Sequence, residues 1–303
     1  MTRHTVAAPW VGLIMLFAST AEAGPQRATK ARAATARAPA ARSGSDYGRH
    51  IKALRPTLKK LRGRFHVTVV RPFVVVGDGG RSQLRRYTGF IRWVTDELKR
   101  HYFSRDPSRI LTVYLFKDRR SYMVNARRLT GERPDTPYGF YSSRFDALIM
   151  NIKTGGGTLS HELVHPFVEA NFPDCPAWLN EGLGSLYEAV GRRKGKIWGF
   201  TNWRLPGLQR AIRKRAVPSF KHLTSRSQRQ FYHQDRGTNY SQSRYLVYYL
   251  QRRGLLKGYY HRFLKNRRAD PTGYKTLQRV LGEKDMAAFQ RRWQAWVQGL
   301  RWR

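Results

Sequence analysis

The sequence is short of cysteine, of acidic residues and of long apolar runs, and each shortage limits what the protein can be. Cys175 is the single cysteine among 303 residues, so no disulfide can form within the chain. A disulfide-stabilised scaffold is therefore excluded, and the fold must depend on its apolar core. We expect Cys175 to be a small buried residue of that core; an intermolecular bridge or a reactive thiol is the alternative.

Acidic residues are scarce over most of the chain. The sequence has 19 Asp and Glu against 58 Lys and Arg, which gives a formal net charge of +39. Such a surface favours polyanionic partners, such as nucleic acid, anionic lipid or another anionic envelope polymer. Biased composition combined with selection for solubility is the alternative explanation, because charge alone defines no specific site.

One stretch reverses this charge pattern. Residues 158–190 contain no Lys or Arg, yet they include several acids, namely Glu162, Glu169, Asp174, Glu181 and Glu188. A nearby cation weakens the binding of a divalent metal, so the absence of cations fits a metal site. A buried helix pair also excludes Lys and Arg, but burial does not explain the acids.

Long apolar runs are confined to the start of the chain. A basic start, an uncharged run over 6–19 and the small residues Ala21 and Ala23 predict a signal peptide over 1–23 that is cleaved after Ala23. The protein is then secreted or periplasmic, and no later segment is apolar and long enough to span a membrane; an uncleaved anchor is the alternative. Residues 24–45 are rich in Ala and Arg and lack large apolar side chains, which predicts a disordered basic linker.

The rest of the chain, 46–303, reads as one catalytic unit with two different parts. Over 46–157 β-branched runs alternate with helical periodicity, which predicts an α/β part with a mixed sheet. The predicted strands are 65–70, 72–77, 110–116, 139–142 and 147–152, and the predicted helices are 82–103 and 118–129. Beyond Thr154 we expect only helix and loop, so the predicted fold class is α+β, with a mixed-sheet N-terminal half and a mainly helical C-terminal half.

The segment His161-Glu162-Leu163-Val164-His165 carries the clearest chemistry. Residues four apart lie on one face of a helix, so the imidazoles of His161 and His165 can reach one metal ion. Glu162 lies beside them, where it can act as a base on a water that the metal activates. Pro166 follows directly and predicts a kink in this helix.

A catalytic zinc needs a third protein ligand and an open position. The segment Trp178-Leu179-Asn180-Glu181-Gly182 begins a second predicted helix, and Glu181 falls off its apolar face, as a ligand would. This pairing of HExxH with a downstream glutamate resembles the gluzincin metallopeptidases of the peptidase-MA type. The resemblance is strong over 158–190 and looser over 65–260, and it implies one zinc ion held by His161, His165 and Glu181.

The resemblance implies further roles around this site. The gluzincins stabilise the oxyanion with a Tyr or His, and Tyr240 stands in a segment similar to the one that carries this Tyr in related peptidases. Their substrate lies along the strand before the metal helix, which corresponds here to residues 147–152. The chain has no Gly-x-Met-Glu-Asn segment, so aminopeptidase activity is not expected. Ser185 lies one helical turn beyond Glu181, where it can support a ligand histidine.

The sequence therefore predicts a secreted, zinc-dependent metallopeptidase that hydrolyses peptide bonds in a protein or peptide substrate. One alternative is a protein that binds a polyanion or an envelope polymer and whose metal site is vestigial or structural. Another is a hydrolase that acts on a non-protein amide, such as a cell-wall cross-link.

Overall fold

A computed structural model of the protein describes residues 42–234 and 238–302. The predicted signal peptide over 1–23 and most of the predicted linker over 24–45 lie outside these residues. The fold is α+β, with a mixed five-stranded sheet in the N-terminal half and helices in the C-terminal half, as the sequence predicts. None of the described helices combines the length and the apolar character needed to cross a bilayer.

The sheet forms the centre of the N-terminal half. Its strands are β1 (His66–Val70), β2 (Phe73–Gly77), β3 (Leu111–Phe116), β4 (Gly139–Ser142) and β5 (Ala147–Asn151). Their spatial order is β1-β2-β3-β5-β4, in which β2, β3 and β5 run parallel and the two outer strands run antiparallel to their neighbours. The three inner strands are buried along their whole length, which explains why their sequences are continuous apolar runs.

Helices cover both faces of this sheet. The N-terminal half contains α1 (Gly44–Lys60), α2 (Gly80–His101) and α3 (Arg119–Thr130). One apolar cluster joins α1 and α3 to one face through buried residues such as Tyr47, Tyr122 and Val76, and α2 belongs to the larger cluster on the other face. The sequence analysis missed α1, and its first two residues fall inside the predicted linker.

The segment that carries the predicted metal ligands follows the sheet directly. It comprises α4 (Gly157–Asn171), α5 (Ala177–Leu186) and a hairpin of β6 (Val190–Arg193) and β7 (Lys196–Gly199). The expectation of only helix and loop beyond Thr154 is therefore wrong. Lys194 and Gly195 both adopt positive φ, 50° and 73°, which closes a two-residue hairpin turn. The charged strands of this hairpin carry no alternating apolar pattern by which they could be predicted.

The remaining helices pack around α4 and α5. They are α6 (Leu205–Arg213), α7 (Phe220–Ser225), α8 (Gln228–His233), α9 (Asn239–Arg252), α10 (Leu256–Asn266), α11 (Tyr274–Leu281) and α12 (Met286–Gly299). α9 approaches α5 closely at Gly182, where a Cβ atom would lie 2.8 Å from Cγ2 of Val247. Glycine at this position therefore sets the distance between the two helices and, with it, the position of α5.

Candidate metal centre

Helix α4 presents both histidines of the motif on one face. The ring centroids of His161 and His165 lie 4.9 Å apart, one helical turn from each other. The helix is assigned continuously over Gly157–Asn171 with Pro166 inside it. Pro166 has no N–H, so the carbonyl of Glu162 loses its helical donor at this point. The two imidazoles nevertheless converge.

Helix α5 brings Glu181 to the same point. Oε2 of Glu181 lies 3.2 Å from Nε2 of His161, and Oε1 lies 4.0 Å from Nε2 of His165. One donor atom from each of the three residues lies within 4.8 Å of the other two, so a single ion can contact all three. The structure therefore brings together the three metal ligands predicted from the sequence.

Acceptors behind the imidazoles orient both rings. Oδ1 of Asn180 lies 3.0 Å from Nδ1 of His165, and Oε1 of Glu188 lies 3.2 Å from Nδ1 of His161. The second contact falls outside hydrogen-bond geometry, so we treat it as an electrostatic pair. An acceptor at each Nδ1 favours a proton on that atom, so Nε2, which faces Glu181 in both rings, is the nitrogen available to a metal ion once its own proton is displaced.

Glu188 is a supporting residue that the sequence analysis did not assign. Its carboxylate accepts two hydrogen bonds from Arg204, at 2.9 Å and 2.7 Å, and one from Asn202 at 2.8 Å. Burial acts to raise the pKa of Glu188, but the Arg204 guanidinium outweighs burial and holds that pKa well below its usual range. Glu188 follows Glu181 by two helical turns, and this spacing is the signal that could have identified it.

Ser185, which was predicted for this supporting role, does not fill it. Its hydroxyl makes no hydrogen bond to any described residue. The carbonyl of Ser185 instead accepts a 2.8 Å hydrogen bond from Nε of Arg244, a fully buried residue of α9 that also donates to the carbonyls of Leu186 and Phe200. Arg244 thus satisfies carbonyls at the C-terminal end of α5, where a cation is also favoured by the helix dipole.

The donor set fits a divalent metal. Oε1 of Glu181 accepts a 2.8 Å hydrogen bond from Tyr232, whereas its buried Oε2 accepts none from the described residues. Burial acts to lower the pKa of His161, but the carboxylates of Glu181 and Glu188 outweigh it and raise that pKa to about 10. The carboxylates around the centre thus stabilise a positive charge placed there. Two imidazoles and one carboxylate are also a ligand set that zinc prefers.

Glu162 lies beside the three ligands. Its Oε2 is 3.9 Å from Nε2 of His165 and accepts a 3.0 Å hydrogen bond from the backbone N–H of Tyr141 in β4. Burial raises the pKa of Glu162, although the two histidines oppose this shift. A buried carboxylate with a raised pKa, next to a metal position, is suited to take up and return a proton.

The strand that borders the centre differs from the predicted one. β5 is paired on both sides, with β3 and with β4, so its backbone groups are already used. Residues 147–152, along which the resemblance places the substrate, therefore have no free backbone edge within this sheet. β4 is the edge strand on this side of the sheet, and Tyr141 fixes it to α4 through its backbone bond to Glu162 and through a 2.8 Å hydrogen bond from its hydroxyl to Glu169.

Two neighbouring tyrosines lie near Glu181. Tyr240, in the first turn of α9, is buried, and its hydroxyl has no hydrogen-bond partner among the described residues. Burial and the negative charge of Glu181 raise its pKa well above the usual value, so its proton is firmly held. Tyr232 of α8, which donates to Glu181, lies with its ring centroid 6.4 Å from that of Tyr240 and was not singled out from the sequence.

Comparison with known proteins adds no assignment. The chain matches no protein-family model, and a search of curated proteins found no match. The interpretation of this centre therefore rests on its own residues and their geometry.

Proposed function

We propose that the protein is a secreted or periplasmic zinc metallopeptidase of the gluzincin type, in which His161, His165 and Glu181 hold one zinc ion. The observation that carries the proposal is the convergence of these three donors within 4.8 Å, with Glu162 beside them. Each histidine has an acceptor at Nδ1, an arrangement common to metal-binding imidazoles. A structural zinc site does not need a buried carboxylate such as Glu162 in addition to its ligands.

The reaction assigned to this centre is hydrolysis of a peptide bond. A bound zinc ion lowers the pKa of a water molecule to about 7 and polarises a carbonyl group. Glu162 accepts the proton of the attacking water and transfers it to the leaving amine. Tyr240, whose hydroxyl is buried and unpaired among the described residues, donates a hydrogen bond to the oxyanion. Tyr232 holds the Glu181 carboxylate in place through Oε1.

The edge of β4 supports a peptide as the substrate. An extended chain can pair with the outer edge of a sheet, and β4 is an outer strand beside Glu162, to which the N–H of Tyr141 is already bonded. Substrate pairing along β4 aligns a scissile carbonyl with the centre. A substrate panel that contains both peptides and cell-wall fragments distinguishes this function from a hydrolase of non-protein amides. A peptidase cleaves the peptides faster than the cell-wall fragments.

The second candidate function is binding of a polyanion or an envelope polymer, with a vestigial or structural metal site. The observation in its favour is the net charge of +39, together with the absence of any Asp or Glu over residues 189–234. The two functions respond differently to salt. Binding of phosphates by Lys and Arg weakens steeply with ionic strength, whereas hydrolysis of a small neutral peptide does not.

The decisive experiment measures zinc per chain and peptide hydrolysis in three matched variants. Glu162→Gln should keep its zinc and lose hydrolysis, because it removes the base and leaves the ligands. Glu181→Ala should lose the zinc itself. Glu132→Gln, at an exposed acid between α3 and β4, is the control and should match the wild type. A Glu181→Ala variant with full metal content and full activity contradicts the assignment.

A further inference from the structure

The exposed aromatic side chains are concentrated at one corner of the molecule. Among the described residues the exposed large hydrophobic side chains are Phe145, Phe200, Trp203 and Trp302. Phe200 and Trp203 belong to the loop after β7, and the hydroxyl of Thr201 in that loop donates a 3.0 Å hydrogen bond to the carbonyl of Arg301. This bond places Trp302 beside the loop. Phe200, Trp203 and Trp302, which we name the aromatic corner, are 42%, 50% and 49% exposed.

The β6–β7 hairpin adds cations next to the aromatic corner. Gly191 pairs with Trp198 and Arg193 pairs with Lys196, so all four project from the same face of the hairpin. Phe200 lies over this face too, because a Cβ atom on Gly191 would come within 2.9 Å of its ring. Lys194 stands at the turn. An exposed ring and exposed cations therefore lie along the same face of the hairpin. We name its three exposed cations, Arg193, Lys194 and Lys196, the basic tip.

Few acids offset these cations. Among the described residues, no salt bridge includes a member of the basic tip. The chain has no Asp or Glu over 189–234, and Glu97, which accepts a 3.1 Å hydrogen bond from the backbone of Ile197, already pairs with Arg100. The positive charge of the tip therefore faces solvent uncompensated.

The hairpin is held firmly in place. Gln251 of α9 accepts from the N–H of Gly199 and donates to its carbonyl, both at 2.9 Å, and Ile197 is buried in the core. At the aromatic corner, Arg204 lies beneath the Trp203 ring, 4.3 Å from its centroid, and is itself fixed by Glu188. Rings and cations are thus presented in a fixed arrangement before any partner binds, which lowers the entropy cost of binding.

We propose that the aromatic corner and the basic tip form a docking surface for a membrane of acidic phospholipids. Half-exposed Trp and Phe side chains that project beside cations match the interface of a bilayer, where rings enter the headgroup layer and cations meet anionic headgroups. A single-stranded nucleic acid also offers phosphates and stacking bases. The geometry favours the bilayer, because the rings of two segments, the loop after β7 and residues 301–302, meet in one exposed patch beside the cations. This surface includes none of the proposed metal ligands, although Trp203 stacks on Arg204, and it does not depend on the proposed peptidase activity.

The test is co-sedimentation of the full chain with vesicles of phosphatidylglycerol and phosphatidylcholine, with pure phosphatidylcholine vesicles as the reference. Replacing Arg193, Lys194 and Lys196 by Gln should weaken binding to the acidic vesicles by about a hundredfold, since each cation contributes about fivefold. Its matched control replaces three exposed lysines of α1, on the far face of the sheet, by Gln; these are Lys52, Lys59 and Lys60. The basic linker is common to all variants, so only differences between them are informative.

The rings are tested in the same way. Replacing Phe200, Trp203 and Trp302 by Ser should remove the part of binding that survives at high salt, because the salt screens the cations but not the inserted rings. Phe145→Ser is the control, since Phe145 is also exposed and lies against an arginine, at the turn between β4 and β5. It should bind as the wild type does.

Three results overturn the proposal. Equal losses in the two charge variants mean that binding follows net charge alone. Wild-type binding by the ring variant at high salt means that no ring enters the bilayer. Tighter binding of an oligodeoxythymidine than of the vesicles, lost in both surface variants, means that the partner is a single-stranded nucleic acid.

Discussion

Replacing Glu188 by Gln tests the support behind the metal centre. Glu188 faces Nδ1 of His161 at 3.2 Å and accepts two hydrogen bonds from the Arg204 guanidinium, and none of the three side chains is more than 10% exposed. The amide is neutral and turns one N–H₂ group toward either His161 or Arg204, so it cannot serve both. Arg204 is then a buried cation without its counter-charge.

Two separate losses should follow from this change. Breaking a buried ion pair from one side lowers the free energy of unfolding by about 3–5 kcal/mol. Loss of the oriented acceptor behind a ligand histidine weakens metal binding by about 10- to 100-fold. The first is measured by urea unfolding of the metal-free protein, and the second by competition for zinc against a chelator of known affinity.

A second variant separates these effects. In Glu188→Gln combined with Arg204→Met, the unpaired cation is gone, so much of the stability should return, while zinc binding stays weak. Glu132→Gln makes the same charge change at an exposed position between α3 and β4 and should alter neither quantity. If Glu188→Gln binds zinc as tightly as Glu132→Gln does, the acceptor does not orient His161 and the reasoning fails.

Three other predictions concern catalysis, stability and pH. Tyr240→Phe should keep its zinc and lower kcat by about 10²–10³-fold, measured with a peptide substrate, because an oxyanion donor is lost. Arg244→Met should lower the free energy of unfolding by about 3 kcal/mol in urea, since the carbonyls at the end of α5 lose their donor; the exposed Arg253→Met serves as the control. The raised pKa of His161, about 10, means that zinc must displace a proton, so affinity should rise by up to about tenfold per pH unit below that pH.

Each of these has a contrary result. Unchanged kcat in Tyr240→Phe excludes that hydroxyl from the reaction. Equal free energies of unfolding for Arg244→Met and Arg253→Met mean that the buried guanidinium does not stabilise the C-terminal end of α5. Zinc affinity is measured between pH 6 and pH 9 against a chelator, with a correction for the chelator's own protonation. An affinity that does not change over this range contradicts the prediction that zinc displaces a proton from His161.

The sheet and the ligands were predictable because their signals are local. The inner strands are buried on both faces and are therefore continuous apolar runs, and their predicted bounds differ from the structure by a residue. The candidate ligands His161 and His165 follow from helical spacing. Glu181 lies off the apolar face of α5, and the resemblance to the gluzincins singled it out.

The parts that sequence reasoning missed depend on distant partners. Glu188 is an ordinary acid until Arg204 and Asn202 surround it, and Tyr232 acquires its contact with Glu181 only when α8 packs on α5. Ser185 has the spacing expected for a residue that supports a ligand histidine. In the structure its carbonyl accepts a hydrogen bond from Arg244, and its hydroxyl has no partner among the described residues. The edge position of β4 follows from strand order, which no single segment encodes.

One missed element did have a local signal. In α1, Tyr47, Ile51, Leu54 and Leu58 recur at helical spacing and pack against the sheet. Lys and Arg at the positions between them hid this pattern within a basic region that resembles the linker before it. The hairpin gave only the Lys194-Gly195 turn as a clue, and its strands are charged.

The buried Arg244 has a consequence for how the protein is made. It lies more than fifty residues beyond α5, yet it secures the end of the helix that carries Glu181. During synthesis, α4 and its HExxH motif leave the ribosome well before α9, so the third ligand is not yet held in place. The proposed hydrolytic centre would thus be complete only after the late helices have docked, and a nascent or truncated chain would stay inactive toward its neighbours.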